Sequence, residues 1–425
     1  MSHAMWRVLQ PILPVIIGIT LIEVALGILM PLIGIQLARG GASSIVIGAT
    51  ASAYFVGFLA GTLTCQRIIR RVGHIRAFGV FVVLAADATI LHLVFQNAYV
   101  WIGLRAIAGF ALAGGFVVIE SWLNDKSSDA TRSRIFAIYT AVSWGASGVS
   151  PLMLNIDDPS GSLLFALCAV CLASAMIPLG LTKIGNPVME EHTHLGIPSL
   201  FRISPLGVVC CFGAGFLTSA MYGLMPAFIA GKGMGEAELS VLISIGTIAV
   251  LAAQIPIGFA ADRYGRRPVI ILTVTATAFI SLVIYATPVL SFTFLIGLFF
   301  VLSAFQSPLY ALGIGQTSDY VPREQFVAAS SGLLFAWGLG ASIGPAIAGF
   351  IMKLIGHQSL FLFVGAGYGL IGVYAFYRVA RRKAKTPQEQ SNFVPVPPAQ
   401  GAYAAPELDP RGEHPPHATT QPSVD

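Results

Sequence analysis

The chain has 425 residues, 56% hydrophobic and only 10% charged, with a mean hydropathy of +0.79. Soluble domains carry about 25% charged residues, so a soluble globular protein is excluded and most of this chain must face lipid. The net charge of +5 comes from Lys and Arg spread unevenly along a membrane chain, and nothing in it calls for nucleic acid.

Twelve apolar runs follow one another, at residues 9–38, 43–65, 77–96, 99–121, 134–155, 161–181, 205–230, 239–260, 268–287, 290–316, 325–352 and 358–379. Each is close to the roughly 20 residues that a membrane-spanning helix needs. Backbone polar groups cannot stay unpaired in lipid, and continuous apolar runs do not fit the alternation of barrel strands. The fold class is therefore an all-α membrane protein with twelve transmembrane helices. With the N-terminus inside, 20 of the 24 Lys and Arg lie in cytoplasmic segments, three (Arg39, Lys232, Lys353) lie outside, and Arg105 lies within a span. The positive-inside rule then places both termini in the cytoplasm.

The first run holds Glu23 and is too long for a cleavable signal peptide. Between runs two and three comes GTLTCQRIIRRVGHIR, with Gly61, Arg70, Arg71, Gly73 and Arg76. Run three carries Asp87, about 10 residues or roughly 15 Å from its inner end. Glu23 lies at similar depth. Run four carries Arg105, about 6 residues or roughly 9 Å from the outer surface, and Glu120 near its inner end, where Lys126, Arg132 and Arg134 are the expected ion-pair partners. Intramembrane charges are functional-site candidates by default, so these four are the proton-coupling candidates. Arg105 must pair with a carboxylate, a substrate anion or carbonyls, because it stays charged.

Residues 182–204 divide the chain into bundles at 1–181 and 205–385. Leu29-Met30-Pro31 returns as Leu224-Met225-Pro226, and Trp144-Gly145 with Pro151 as Trp337-Gly338 with Pro345. The loop after run eight, GFAADRYGRRPV, is a fuller copy of the earlier one and holds Gly258, Asp262, Arg263, Gly265, Arg266 and Arg267. All three matches fall near one offset, so the halves are pseudo-repeats, an arrangement of one large class of secondary transporters. Here Asp262 is expected to gate the cytoplasmic face by meeting Arg132 or Arg134. In the first copy Cys65 stands at the Asp position. Tyr54, Trp144, Tyr222, Gln254, Gln306, Tyr310 and Trp337 are candidates to line a substrate cavity. Pro308 should break run ten. Residues 386–425 hold nine prolines and read as a disordered cytoplasmic tail.

GFAADRYGRRP and Arg105-Ala-Ile-Ala-Gly109 resemble two signatures of the major facilitator superfamily, Gly-x-x-x-Asp-Arg-x-Gly-Arg-Arg and Arg-x-x-x-Gly. SAYFVGFLAGTL (52–63), RAIAGFALAGGFVVIESW (105–122) and SAMYGLMPAFIAGKG (219–233) resemble its YcaD-like branch. The resemblance implies two six-helix bundles that alternate access to a central site. The antiporter signature Gly-Pro-x-x-Gly-Gly is missing from span five.

No nucleotide loop, zinc spacing or nucleophile elbow occurs, so no enzyme activity, cofactor or metal is expected. The expectation is a monomeric secondary transporter of a small organic molecule in the bacterial inner membrane, coupled to protons. The alternatives are a transporter-like sensor or scaffold that moves nothing, and an ion-independent facilitator.

Overall fold

A computed structural model describes residues 10–127, 131–182, 195–289, 291–381 and 390. Twelve helices are long and apolar enough to cross a membrane. In the first half these are α1 Leu13–Arg39, α2 Ser44–Val72, α3 His74–Val94, α4 Ala98–Lys126, α5 Arg134–Asn155 and α6 Leu163–Gly180. In the second they are α7 Pro205–Gly231, α8 Glu236–Tyr264, α9 Arg266–Ala286, α10 Phe292–Ser318, α11 Phe326–Ile355 and α12 Ser359–Arg381. The proline-rich tail, apart from Gln390, and most of the central loop lie outside the described residues.

The sequence explains the interruptions. Helix α10 stops at Gln306 and resumes at Leu309, because Pro308 has no N–H to donate and its ring obstructs the preceding turn. Helix α5 tightens to a 3-10 turn at Ser150–Asn155, with Pro151 at its start.

The repeat has a sharper register than the sequence matches imply. Helices α1 and α7 have 27 residues each, α2 and α8 have 29, and α3 and α9 have 21. The starts of all three pairs differ by 192. The fixed points are Gly73 and Gly265, the single-residue turns α2–α3 and α8–α9, with φ of 86° and 88°. A side chain is costly in that left-handed region. The sequence pairing of Gly61 with Gly258 is therefore out of register. The counterpart of Asp262 is Arg70, not Cys65. Helix α2 runs past Gly61 without a break, so apolar sequence alone could slide there.

Gly57 and Gly61 are packing residues. A Cβ on Gly57 would meet the carbonyl of Ala106 in α4, and one on Gly61 would meet Phe110 and Ala113. Gly340 and Gly344 lie against the backbone of Phe212 and Phe216 in α7 in the same manner. Small residues let membrane helices approach this closely. Gly344→Val should destabilise the protein by about 3 kcal/mol, since its neighbour is backbone and cannot give way. A thermal-unfolding midpoint equal to wild type would contradict this packing.

Candidate functional site

The two halves enclose a central cavity of about 380 Å³. Its walls come from α1, α2, α4 and α5 of the first half and α7, α8, α10 and α11 of the second. Helices α3, α6, α9 and α12 contribute nothing to it. The break in α10 places Gln306, Ser307 and Tyr310 on the wall. Of the seven sequence candidates, Tyr54, Trp144, Tyr222, Gln306, Tyr310 and Trp337 line the cavity, whereas Gln254 does not. Thr218, Thr247 and Tyr139 also line it. Sequence reasoning passed over Tyr139, although it lies little more than one turn before Trp144.

Glu23 lines the cavity and is 9% exposed. Among the described residues no hydrogen bond or ion pair reaches it. An unpaired deep carboxyl is costly to hold. Arg105 is 2% exposed and packs behind the wall. Its Nη2 donates to Met30 Sδ at 2.7 Å, its guanidinium sits 4.4 Å from the Tyr54 ring centroid, and its Nη1 has no partner. The carboxylate, anion or carbonyls expected for Arg105 are replaced by an aromatic face, whose negative quadrupole attracts a cation, and by a polarisable thioether. Glu120 is fully buried and accepts a hydrogen bond from the Tyr139 hydroxyl on α5. Of the expected basic partners, Lys126 pairs with Asp125 at 2.9 Å, Arg134 is exposed, and the Arg132 side chain is outside the described residues.

Asp87 does not reach the cavity. It is exposed, in one stripe of α3 with Val80, Val83, Ile90 and Val94. That stripe faces away from α4 and α6, so the burial expected for Asp87 is absent. His92, one turn further on, is buried, and its Nδ1 lies 2.6 Å from the Ala88 carbonyl.

The halves are fastened at the Arg39 end. Arg39 at the end of α1 reaches Asp158 at 2.7 Å and Glu236 of the second half at 2.6 Å. Asn155 Nδ2 donates to Ser240 Oγ at 2.9 Å, Ser44 Oγ to the Gly349 carbonyl at 2.8 Å, and the Ala346 N–H to Ser52 Oγ at 3.0 Å. The backbone N–H of Ser160 and the Arg39 guanidinium hold the Asp158 carboxyl below its ordinary 3.8. A depressed carboxyl keeps its pairing above the unfolded value and loses it only as pH falls through the folded one, so this clasp is intact at neutral pH. Exposed pairs are weak, so the loss of both should shift the open–closed balance at this end towards the open state by roughly a few fold. Spin labels at Asp157 and Ala237 would report it for Arg39→Ala as a longer-distance population. An unchanged distance distribution would show that the clasp carries no bias.

At the opposite end the loop motif divides into exposed and buried residues, and the expected contact of Asp262 with Arg132 falls on a side chain outside the described residues. Asp262 and Arg263 are exposed, while Gly258, Gly265, Arg266 and Arg267 are buried. Arg266 pairs with Asp319 at 2.5 Å and donates to the Gly315 carbonyl, and Arg267 Nη2 meets the Tyr320 hydroxyl at 3.0 Å. Two of the motif's arginines thus tie α9 to the end of α10 within one half. The first half holds a counterpart, with Arg70, Arg71 and Arg76 exposed around it. His74, which opens α3 as Arg266 opens α9, is 3% exposed and lies 3.0 Å from Ser121 Oγ through Nε2, with Asp125 acting on it electrostatically. Ser121 and Asp125 stand 194 positions before Gly315 and Asp319. The first copy has therefore kept an acid, in α4 and facing a histidine.

The sequence profile of the major facilitator superfamily matches residues 15–250 and 207–407. The chain belongs to the major facilitator superfamily. It is 27% identical over 361 residues to the MFS-type transporter YcaD of Escherichia coli K12, across 84% of this chain and 93% of that one. Among solved structures it is similar to nucleoside transporter NupG, with a TM-score of 0.71, 16% identity, and 88% and 99% of the two chains covered. It is also similar to a bacterial homologue of the human lysosomal transporter Spinster, with a TM-score of 0.64, 13% identity, and 98% and 100% covered. This superfamily member is a multi-pass membrane transporter of small molecules, and its central cavity lies between the two six-helix halves of the fold.

Proposed function

We propose that the protein is a secondary active transporter of a small organic molecule, working by alternating access and driven by protons across the bacterial cytoplasmic membrane. The observation that carries this reading is an unpaired carboxyl, Glu23, in a cavity between two halves. A group held there without a partner can gain and lose a proton as its surroundings change. The buried Glu120–Tyr139 pair lies towards the basic end and offers a second proton station. The lipid-facing placement of Asp87 argues against a coupling role for it. The Lys and Arg asymmetry supports cytoplasmic termini, with the Arg39 clasp outside, and the protein acts as a monomer. In this reading the clasped state is the inward-facing one, and opening the clasp exposes the cavity to the outside.

Proteoliposomes with pyranine inside and an imposed pH gradient test the proposal against a panel of amines, nucleosides, sugars and organic acids. A solute that moves faster with the gradient and carries protons supports it. Solute flux that ignores the gradient would instead identify an ion-independent facilitator, and binding without any flux would identify a sensor.

A further inference from the structure

We propose that the cargo is an organic cation, a protonated or quaternary amine on a small apolar or aromatic body. The inference rests on the reading of the central cavity as the transport site. Among the described residues Glu23 is the one charged side chain lining that cavity, and no Lys, Arg or His lines it. A ligand entering the site meets a single carboxyl that the described residues leave unpaired, and a cation beside it would hold it ionised. The nearest buried cation does not alter this. Arg105 is covered from the cavity by Tyr54 and Met30, both wall residues, and its charge is turned onto the Tyr54 ring.

The rest of the lining agrees in chemistry. Gln306 Oε1 is buried on the wall without a partner, and a carboxamide oxygen only accepts hydrogen bonds. Ser143 and Ser307 present unpartnered hydroxyls there. These oxygens can accept from an ammonium N–H where the cargo carries one, and the Glu23 carboxylate can neutralise any ammonium, protonated or quaternary. Phe55, Trp144, Tyr222 and Trp337 build the remaining wall, and aromatic surfaces attract cations while burying apolar bodies. A volume of about 380 Å³ lies at the small end of ligand sites and suits a body of one or two rings. An anion would face Glu23 with no cation on the wall to hold it, and a neutral solute would leave the carboxyl without a counter-charge.

The test is calorimetric titration of the purified full chain with three probes of one shape class: benzyltrimethylammonium, neutral N,N-dimethylbenzamide and anionic phenylmethanesulfonate. The cation should bind about tenfold or more tightly than either other probe. Glu23→Gln should weaken it about tenfold or more, while Glu23→Asp, which keeps the charge, should retain most of the affinity. Size-exclusion profiles and melting temperatures establish that both variants are folded. Equal or tighter binding of the neutral or anionic probe overturns the proposal. So does an unchanged affinity in Glu23→Gln, or no binding of the cation to wild type at about 10 mM. Because binding is read without flux, such a failure leaves the transport reading intact. Absence of proton-linked flux for every solute would sink that reading separately.

Discussion

Glu23→Gln is expected to cut proton-driven transport about a hundredfold or more, the scale of losing a required proton-transfer group, while the protein melts at the same temperature or higher. The two effects share one cause. Glu23 sits on the cavity wall with 9% exposure and no described partner, so the fold bears the cost of holding a carboxyl away from water. The amide has the same shape and no charge to desolvate. It removes that cost together with the ability to exchange a proton, as expected where a site trades stability for activity. Exchange of solute down its own gradient, measured without a pH difference, should survive better than driven transport. Asp87→Asn supplies the control, since that side chain lies on the exposed stripe of α3 and its removal should leave the driven rate close to wild type. If Glu23→Gln retains full driven transport, or if Asp87→Asn loses it, the assignment of coupling to the cavity carboxyl is wrong.

Arg266→Ala is expected to destabilise the protein by about 3–5 kcal/mol, the range for removing one partner of a buried ion pair. Arg266 and Asp319 side chains are 1% and 2% exposed at a separation of 2.5 Å. Truncating the arginine leaves the aspartate charged in a dry position and also frees the Gly315 carbonyl that Arg266 binds. Arg266→Lys should fall between, because an ammonium keeps the charge but is more strongly hydrated than a guanidinium and costs more to hold in a dry position. The double variant Arg266→Ala with Asp319→Ala should be less damaged than Arg266→Ala alone, since no charge is then stranded. His74→Ala, at the counterpart position, should cost only about 1 kcal/mol, a typical single hydrogen bond. Thermal unfolding in detergent orders these variants. A double variant as unstable as Arg266→Ala would refute the stranded-charge account.

This loop also shows where a contiguous motif stops being informative. In the second half the acid and arginines of the motif are contiguous from Asp262 to Arg267. The acids that act on the two turns lie outside it: Asp319 is 53 residues from Arg266 and its counterpart Asp125 is 51 residues from His74, each brought near only because a later helix folds back. No local pattern could pair them. Six of seven cavity candidates were legible because aromatic residues with one polar atom are conspicuous in otherwise aliphatic runs. Arg39 stood out in the sequence as one of few cations in the loops expected outside, but its partners Asp158 and Glu236 come from a loop of the first half and the start of α8 in the second.

By itself the sequence determined the number of spans, their helical nature, the division into repeats, the break at Pro308 and the superfamily resemblance. Each follows from run length, backbone satisfaction in lipid or a short contiguous motif. Tertiary structure alone decided which face of each span looks inward. It turned Glu23 to the cavity and Asp87 to the outside, and it set Arg105 behind Tyr54. The physical reason is that lipid is as apolar as a packed interior. The polar–apolar contrast that marks the inner face of a soluble helix is absent here. Only the packing of twelve helices against one another assigns those charges their surroundings.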